Sequence, residues 1–249
     1  MEPTRFGWAP SRTVSPMCGR FVSSTSADQV AAHFAAVLEP ELAEDPPRPR
    51  FNVAPSSGVL VVGERVDGDT GERERLLRAH RWGLVPKWAK SPAVGNRMIN
   101  ARAETLATKN AYRRPFARRR CIVPADGFYE WRVVEGDRRK QPVFIRSRDG
   151  SPLAMAGLWE IWTDAEDHHL RSCTIVTTTA NATVAPIHDR MPVLLPEGAW
   201  SRWLDPRETD IDAVSDLLVP APDDALEWWP VGYDVGNVRN DRPDLTAPI

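Results

Sequence analysis

Cysteine is scarce in this 249-residue chain, which has only Cys18, Cys121 and Cys173. A count that is both sparse and odd argues against a disulfide scaffold and fits a reducing, cytoplasmic setting. There is no Cys-x-x-Cys pair, and His168 and His169 are adjacent rather than at ligand spacing, so no structural zinc site is expected. No apolar run is long enough to span a bilayer, so no membrane partner is expected. The first sixteen residues lack the apolar stretch of a secretory signal and read as an irregular segment around Pro3, Pro10 and Pro16. Charge of one sign is also missing. Thirty-two basic residues against 34 acidic ones give a net charge of -2, so any basic surface for nucleic acid must be local.

What is present points to one α+β domain with a mostly antiparallel, barrel-like β core and flanking helices. The segments 18–23, 59–64, 76–84, 121–124, 127–134, 142–146, 153–162, 170–178, 191–195 and 227–233 read as strands, rich in β-branched and aromatic residues. Gly68 and Gly71 mark a hairpin turn. Ser24, Thr25 and Ser26 offer caps for a helix over 28–38. Residues 39–50 read as loop. Helices are expected from about 105 to 116, from Asn181, over 199–204 and over 211–218. The arginine runs Arg113-Arg114 and Arg118-Arg119-Arg120, and the group Arg132, Arg138, Arg139 and Lys140, read first as solvated faces.

Cys18 is the most informative residue. At a chain terminus it would carry a free α-amine and a thiol on adjacent carbons. Such a 1,2-aminothiol condenses with an aldehyde to an imine, and the thiolate then closes a thiazolidine ring. Asn100 and Arg102 lie two apart in a strand-like run and share a face, where arginine can fork onto a phosphate and asparagine can fix a carbonyl or hydroxyl. An exposed edge strand is the alternative. Glu130 sits among Phe128, Tyr129 and Trp131, surroundings that disfavour a carboxylate and suit a general acid/base. The alternative is an arginine-paired carboxylate. His188 stands in Ile187-His188-Asp189-Arg190 and can shuttle a proton, unless it is merely structural. Ten tryptophans are unusual. Trp82 and Trp88 lie among Arg81, Lys87 and Lys90, the mix of aromatics and cations a single-strand binder needs.

In order along the chain, Met17-Cys18-Gly19-Arg20-Phe21, Phe51-Asn52-Val53-Ala54-Pro55, Trp82-Gly83-Leu84-Val85-Pro86, Asn100-Ala101-Arg102-Ala103-Glu104, Pro124-Ala125-Asp126-Gly127-Phe128-Tyr129-Glu130-Trp131, Ala156-Gly157-Leu158-Trp159-Glu160, Thr177-Thr178-Thr179-Ala180-Asn181 and His188-Asp189-Arg190-Met191-Pro192 together resemble the SRAP family of abasic-site processing proteins. The resemblance implies a domain over 17–235, preceded by a leader of residues 1–16 and followed by a C-terminal tail at 236–249. It implies covalent capture of abasic sites in single-stranded DNA in the response to DNA damage, without metal or cofactor, by a nucleoid-associated monomer with the replication machinery as a candidate partner. Cys18 would be the nucleophile, Asn100 would orient it, Glu130 would be the acid/base, and His188 would assist opening of the sugar. Arg20, Arg102 and Arg190 would hold phosphates. Trp82, Trp88, Trp131, Thr177 and Pro55 would form walls or stacking surfaces.

The leader is the departure from the family pattern, in which the cysteine directly follows the initiator Met. Initiation at Met17 with removal of that Met is the favoured reading. Excision of residues 1–17 by the chain itself, with Cys18 as a thiol peptidase nucleophile, is the second. Retention of the leader would abolish thiazolidine chemistry. A weak lyase activity through the imine and a noncatalytic single-strand-binding module are the remaining alternatives.

Overall fold

The computed structural model describes residues 19–249. Cys18, Met17 and the leader lie outside the described residues. Thirteen strands occur among the described residues: β1 (Arg20–Ser23), β2 (Val37–Leu38), β3 (Arg50–Val53), β4 (Gly58–Val66), β5 (Arg73–Trp82), β6 (Asn100–Arg102), β7 (Arg120–Ala125), β8 (Gly127–Arg132), β9 (Gln141–Ser147), β10 (Leu153–Thr163), β11 (His169–Thr179), β12 (Arg190–Pro192) and β13 (Leu226–Pro230). Five helices accompany them: α1 (Ala27–His33), α2 (Pro40–Glu44), α3 (Asn110–Arg118), α4 (Trp200–Leu204) and α5 (Asp212–Ser215).

The strands form two sheets. One runs β11-β10-β7-β4-β5 and closes on itself, because β5 pairs with β11 in parallel at Ser172–Arg81 and Cys173–Trp82. The result is a five-stranded barrel, as expected, with β12 and β6 on the flank of β11 and β2 on β5. The other is an open antiparallel sheet, β13-β9-β8-β1-β3. Both faces of the barrel strands are buried. Val59 and Val61 enter one cluster with Cys121, Val123, Met155 and the open sheet's Phe21 and Phe128. Leu60 and Val62 enter another with Phe34, Phe116, Trp200 and Trp203 from the helices and their flanks. Strands covered on both faces read as continuous apolar runs rather than as alternation.

The expected strands are all found, and the helices differ in detail. Ser26 caps α1 and Gln29 completes the capping box. The helix ends at His33, not at 38, because Ala35 turns left-handed (φ 48°) and Val37–Leu38 pair with Leu76–Leu77. The expected loop at 39–50 contains α2, which starts at Pro40 and buries Leu42. Asn181 starts a turn rather than a helix. Its Oδ1 accepts from Val184 N–H, while its amide donates to the carbonyls of Ala221 and Pro222. Residues 236–249 are packed on the domain rather than trailing from it. Asp241 accepts from the Arg50 side chain and from the N–H groups of Phe51 (2.6 Å) and Asn52 (3.2 Å), and Leu245 is buried.

His80 on β5 is 3% exposed, its ring lies 5.6 Å from that of Trp159, and neither ring nitrogen has a hydrogen-bond partner among the described residues. Burial, with the charges of Arg171 and Arg78, pushes its pKa from 6.5 down to about 3. The folded state therefore refuses a proton that the unfolded chain accepts. Stability is full above pH 6.5 and falls progressively toward pH 3. We expect His80→Phe to flatten the acid limb by up to about 1.4 kcal/mol per pH unit, read from urea midpoints of both proteins across that range.

Candidate active site

The open sheet brings the amino end of β1 beside Glu130. Arg20 pairs with Tyr129 and Phe21 with Phe128, antiparallel. Side chains alternate along each strand. Phe21 and Phe128 face the barrel, and Val22 and Tyr129 face away. Glu130, two residues after Phe128, shares its face and is 4% exposed. Sequence reasoning expected a carboxylate in apolar surroundings, and the aromatic strand around Glu130 delivers that burial.

Two further elements converge on the same cluster. The Trp82 ring packs edge-on against Phe21 at 5.0 Å, and its indole N–H donates to the Ile99 carbonyl at 3.0 Å. Ile99 belongs to the same cluster as Phe21, and Asn100 follows it into β6, in register with Ile175 of β11. The Tyr112 hydroxyl donates to the Asn100 carbonyl at 3.3 Å. Ile187 is buried in the same cluster, and His188 follows it with its backbone N–H on the Val184 carbonyl. Near neighbours of Glu130, Asn100 and His188 in sequence, Phe128, Ile99 and Ile187, thus enter one apolar cluster from three separate parts of the chain.

The Nδ1 atom of His188 has two partners within reach. Its Nδ1 accepts from Arg190 N–H at 3.1 Å in the neutral ring, which leaves the proton on Nε2. Protonated at both nitrogens, the ring has Asp189 Oδ1 at 2.8 Å as the alternative partner of Nδ1. Each protonation state has a hydrogen-bond partner.

The expected phosphate ligands differ in availability. Arg102 is exposed and forms no ion pair among the described residues. Arg20 is half-buried and donates to Asn52 Oδ1 (2.9 Å) and to the carbonyls of Val235 (2.9 Å) and Gly236 (3.3 Å). Desolvation lowers its pKa. Arg190 forks onto Glu104 at 2.5 and 2.9 Å and also reaches the Thr177 carbonyl at 2.7 Å. That contact, ahead of other influences, holds the Glu104 carboxyl below its ordinary range.

Two expected wall residues reach no surface. Trp82 is 0% exposed because its ring is the floor under Phe21, and Thr177 is 1% exposed near the carboxyl end of β11. Neither can stack on a base. Trp88, in contrast, is 61% exposed between Lys87 and Lys90, on a loop anchored by the Trp162 indole donating to the Ala89 carbonyl at 2.7 Å. Pro55 and Trp131 are half-buried. Gly83 holds the start of that loop at φ 119°, and a Cβ there would meet the Gly95 carbonyl oxygen at 2.5 Å.

Several residues that hold the site were missed in the sequence. Asp126 accepts from the N–H and hydroxyl of both Ser24 and Thr25, fixing the exit of β1. Asn52 is fully buried and donates to the carbonyls of Val235, Asn237 and Asn240. A polar residue inside Phe51-Asn52-Val53 was the available signal. Asp164, Glu166 and His168 cluster at the exposed β10–β11 turn, where Asp164 already accepts from His168 and Glu166. No helix among the described residues is long and apolar enough to cross a membrane.

With this geometry in view, the comparisons with known proteins are direct. The family described as SOS response associated peptidase (SRAP) matches residues 17–238. The abasic site processing protein YoqW of Bacillus subtilis is 40% identical over 229 residues, covering 92% of this chain and 98% of that protein. The abasic site processing protein YedK of Escherichia coli is 34% identical over 236 residues, covering 94% and 100%. A crystal structure of a Bacteroides thetaiotaomicron protein superposes with a TM-score of 0.80 at 24% identity, covering 93% of this chain and 100% of that one, which establishes the shared fold. The chain belongs to the SRAP family, among relatives that carry the name abasic site processing protein.

Proposed function

We propose that this protein captures abasic sites in single-stranded DNA by forming a thiazolidine with an amino-terminal Cys18, and so shields the lesion during the DNA damage response. The observation that carries the reading is the burial of Glu130 beside the start of β1, next to the apolar cluster that Ile99 and Ile187 also enter. An abasic deoxyribose exists mainly as a closed hemiacetal. His188 supplies the proton that opens it to the aldehyde. Asn100 orients the α-amine and the sugar. The amine adds to the aldehyde and one water leaves with a proton from Glu130, giving the imine. The thiolate then adds across the C=N bond and the nitrogen takes up a proton, closing the ring without any redox change. An α-amine of pKa roughly 7.7–8.0 and a thiol of about 8.5 are both accessible to such a base near neutral pH. Arg102 provides an exposed cation for the backbone. Trp88 offers a stacking face, worth about 1–3 kcal/mol per base, with Pro55 and Trp131 beside it. The same imine supports a weak β-elimination lyase activity.

The test is adduct formation between purified protein and a single-stranded oligonucleotide carrying an abasic site. Protein that begins at Cys18 is expected to give a heat- and SDS-stable adduct, and protein that keeps residues 1–17 is expected to give none. Equal adduct yield from both forms would sink the reading. A second reading, excision of the leader by Cys18 itself, is favoured by the family description as a peptidase and by the sixteen residues before Met17. Loss of the leader mass in the wild type but not in Cys18→Ala supports it, and an unchanged intact mass in both removes it.

A further inference from the structure

We propose that the β8–β9 hairpin, residues 133–140, together with Tyr233 and Arg239, forms an arm that holds the DNA strand on one side of the abasic nucleotide. The inference rests on the reading above and adds a second contact surface to it. From Glu130 to Val133 is three residues along an extended strand, about 10 Å at the usual rise per residue. The hairpin therefore projects beyond the end of the sheet at which Glu130 lies. Its base is tied to the segment that receives Arg20. The Gln141 amide donates to the Val231 carbonyl at 2.9 Å, Val231 N–H donates to Pro142, and Arg20 donates to Val235 and Gly236 of the same segment.

The chemistry of the arm fits a nucleic-acid strand. Residues 132–140 hold four cations, Arg132, Arg138, Arg139 and Lys140, against Glu135 and Asp137. Asp137, itself exposed, accepts from Arg139 N–H at 2.9 Å. Many arginines elsewhere are neutralised, as Arg50, Arg75, Arg78 and Arg190 are by Asp241, Glu64, Glu39 and Glu104. Among the described residues no carboxylate forms an ion pair with Arg138, Lys140 or Arg239, all three of them exposed. Apolar surface is left open beside these cations, with Val133 at 70%, Val134 at 39%, Val238 at 50% and Tyr233 at 37% exposure. The Arg139 guanidinium stacks over the Tyr233 ring at 4.3 Å and joins the hairpin to the segment that carries Arg239. Unpaired cations next to apolar and aromatic faces match alternating phosphates and bases. In a chain of net charge -2, a positive tract so close to the site is a local feature.

The experiment measures binding of single-stranded oligonucleotides with a stable abasic analogue, across 50–300 mM salt, by wild type and by Arg138→Ser/Lys140→Ser/Arg239→Ser. Arg139 is left in place because its ring contact joins the two segments. Loss of three phosphate contacts is expected to lower the salt slope by about 2 and the affinity by about tenfold to a hundredfold. Glu135→Gln is expected to tighten binding. With the lesion placed at either end, the loss should follow the flank on one side only. An unchanged slope and affinity overturn the arm, and so does an equal loss for both flanks, which would mark a diffuse field. If wild type captures no abasic strand at all, the reading of the active site fails instead.

Discussion

Replacing Cys18 with alanine is expected to abolish the heat-stable adduct entirely while leaving a reducible imine. The variant keeps an amino-terminal amine, so condensation with the ring-opened aldehyde still proceeds, but no sulfur is present to close the ring. Borohydride should therefore trap a covalent product that heat alone does not preserve. Glu130→Gln tests the other half of the chemistry. The amide fills the same buried place without a transferable proton, so proton transfer during loss of water must come from solvent. General acid/base catalysis contributes about 10²–10⁴-fold, and a fall in single-turnover capture rate of about 10²-fold or more is expected. Rates are read by quenching into denaturant, with the affinity for a stable abasic analogue measured alongside. A capture rate within twofold of wild type would remove Glu130 from the mechanism. Cys18→Ala adducts that survive heating would remove the thiazolidine.

The second large effect is on stability. Arg120 is 4% exposed and donates to five backbone carbonyls: Trp203 (2.6 Å), Phe116 (2.9 Å), Ala117 (3.1 Å), Asp205 (2.7 Å) and Glu208 (2.9 Å). Phe116 and Ala117 lie in the last turn of α3, and Trp203 in the last turn of α4. One guanidinium thus caps the carboxyl ends of two helices, where orphan carbonyls and the helix dipole both favour a cation. Its pKa is lowered by burial, opposed by Glu208 and Asp205. Arg120→Met would strand the buried Trp203 and Phe116 carbonyls and leave three part-buried ones without their donor. With charged hydrogen bonds worth about 1.5–3 kcal/mol each and far from additive, a loss of about 3–5 kcal/mol is expected. For a domain of this size that lowers Tm by about 6–20 °C, measured by thermal unfolding. Arg113→Met, at an exposed position of α3, should change Tm by no more than a degree or two.

Arg120 also shows where the sequence stops being legible. In Arg118-Arg119-Arg120 nothing local separates a solvated arginine from a buried one, because the partners of Arg120 include carbonyls 83 to 88 residues away. Arg119 likewise pairs with Glu160 across the fold. Trp82 misled for the same reason: its basic neighbours suggested a surface, while its place in β5 turned the ring onto Phe21. Local chemistry was more readable. Ser26 announced α1, and the aromatic neighbours of Glu130 announced its burial. The barrel strands were visible as apolar runs, but the parallel closure of β5 on β11 leaves no signature in either strand.

The bonds from Arg20 to Val235 and from Arg50 to Asp241 span 215 and 191 residues. They give the protein a schedule. A ribosome working at about 5–20 residues per second makes β1 first and then holds it for tens of seconds before its final neighbours exist. β3 and β8 can pair with β1 well before then, but the Arg20 guanidinium meets its carbonyl partners only once the segment around residue 235 has cleared the exit tunnel. The seating of the Arg20 side chain is thus among the last events of folding on the ribosome, although its strand is among the first parts made.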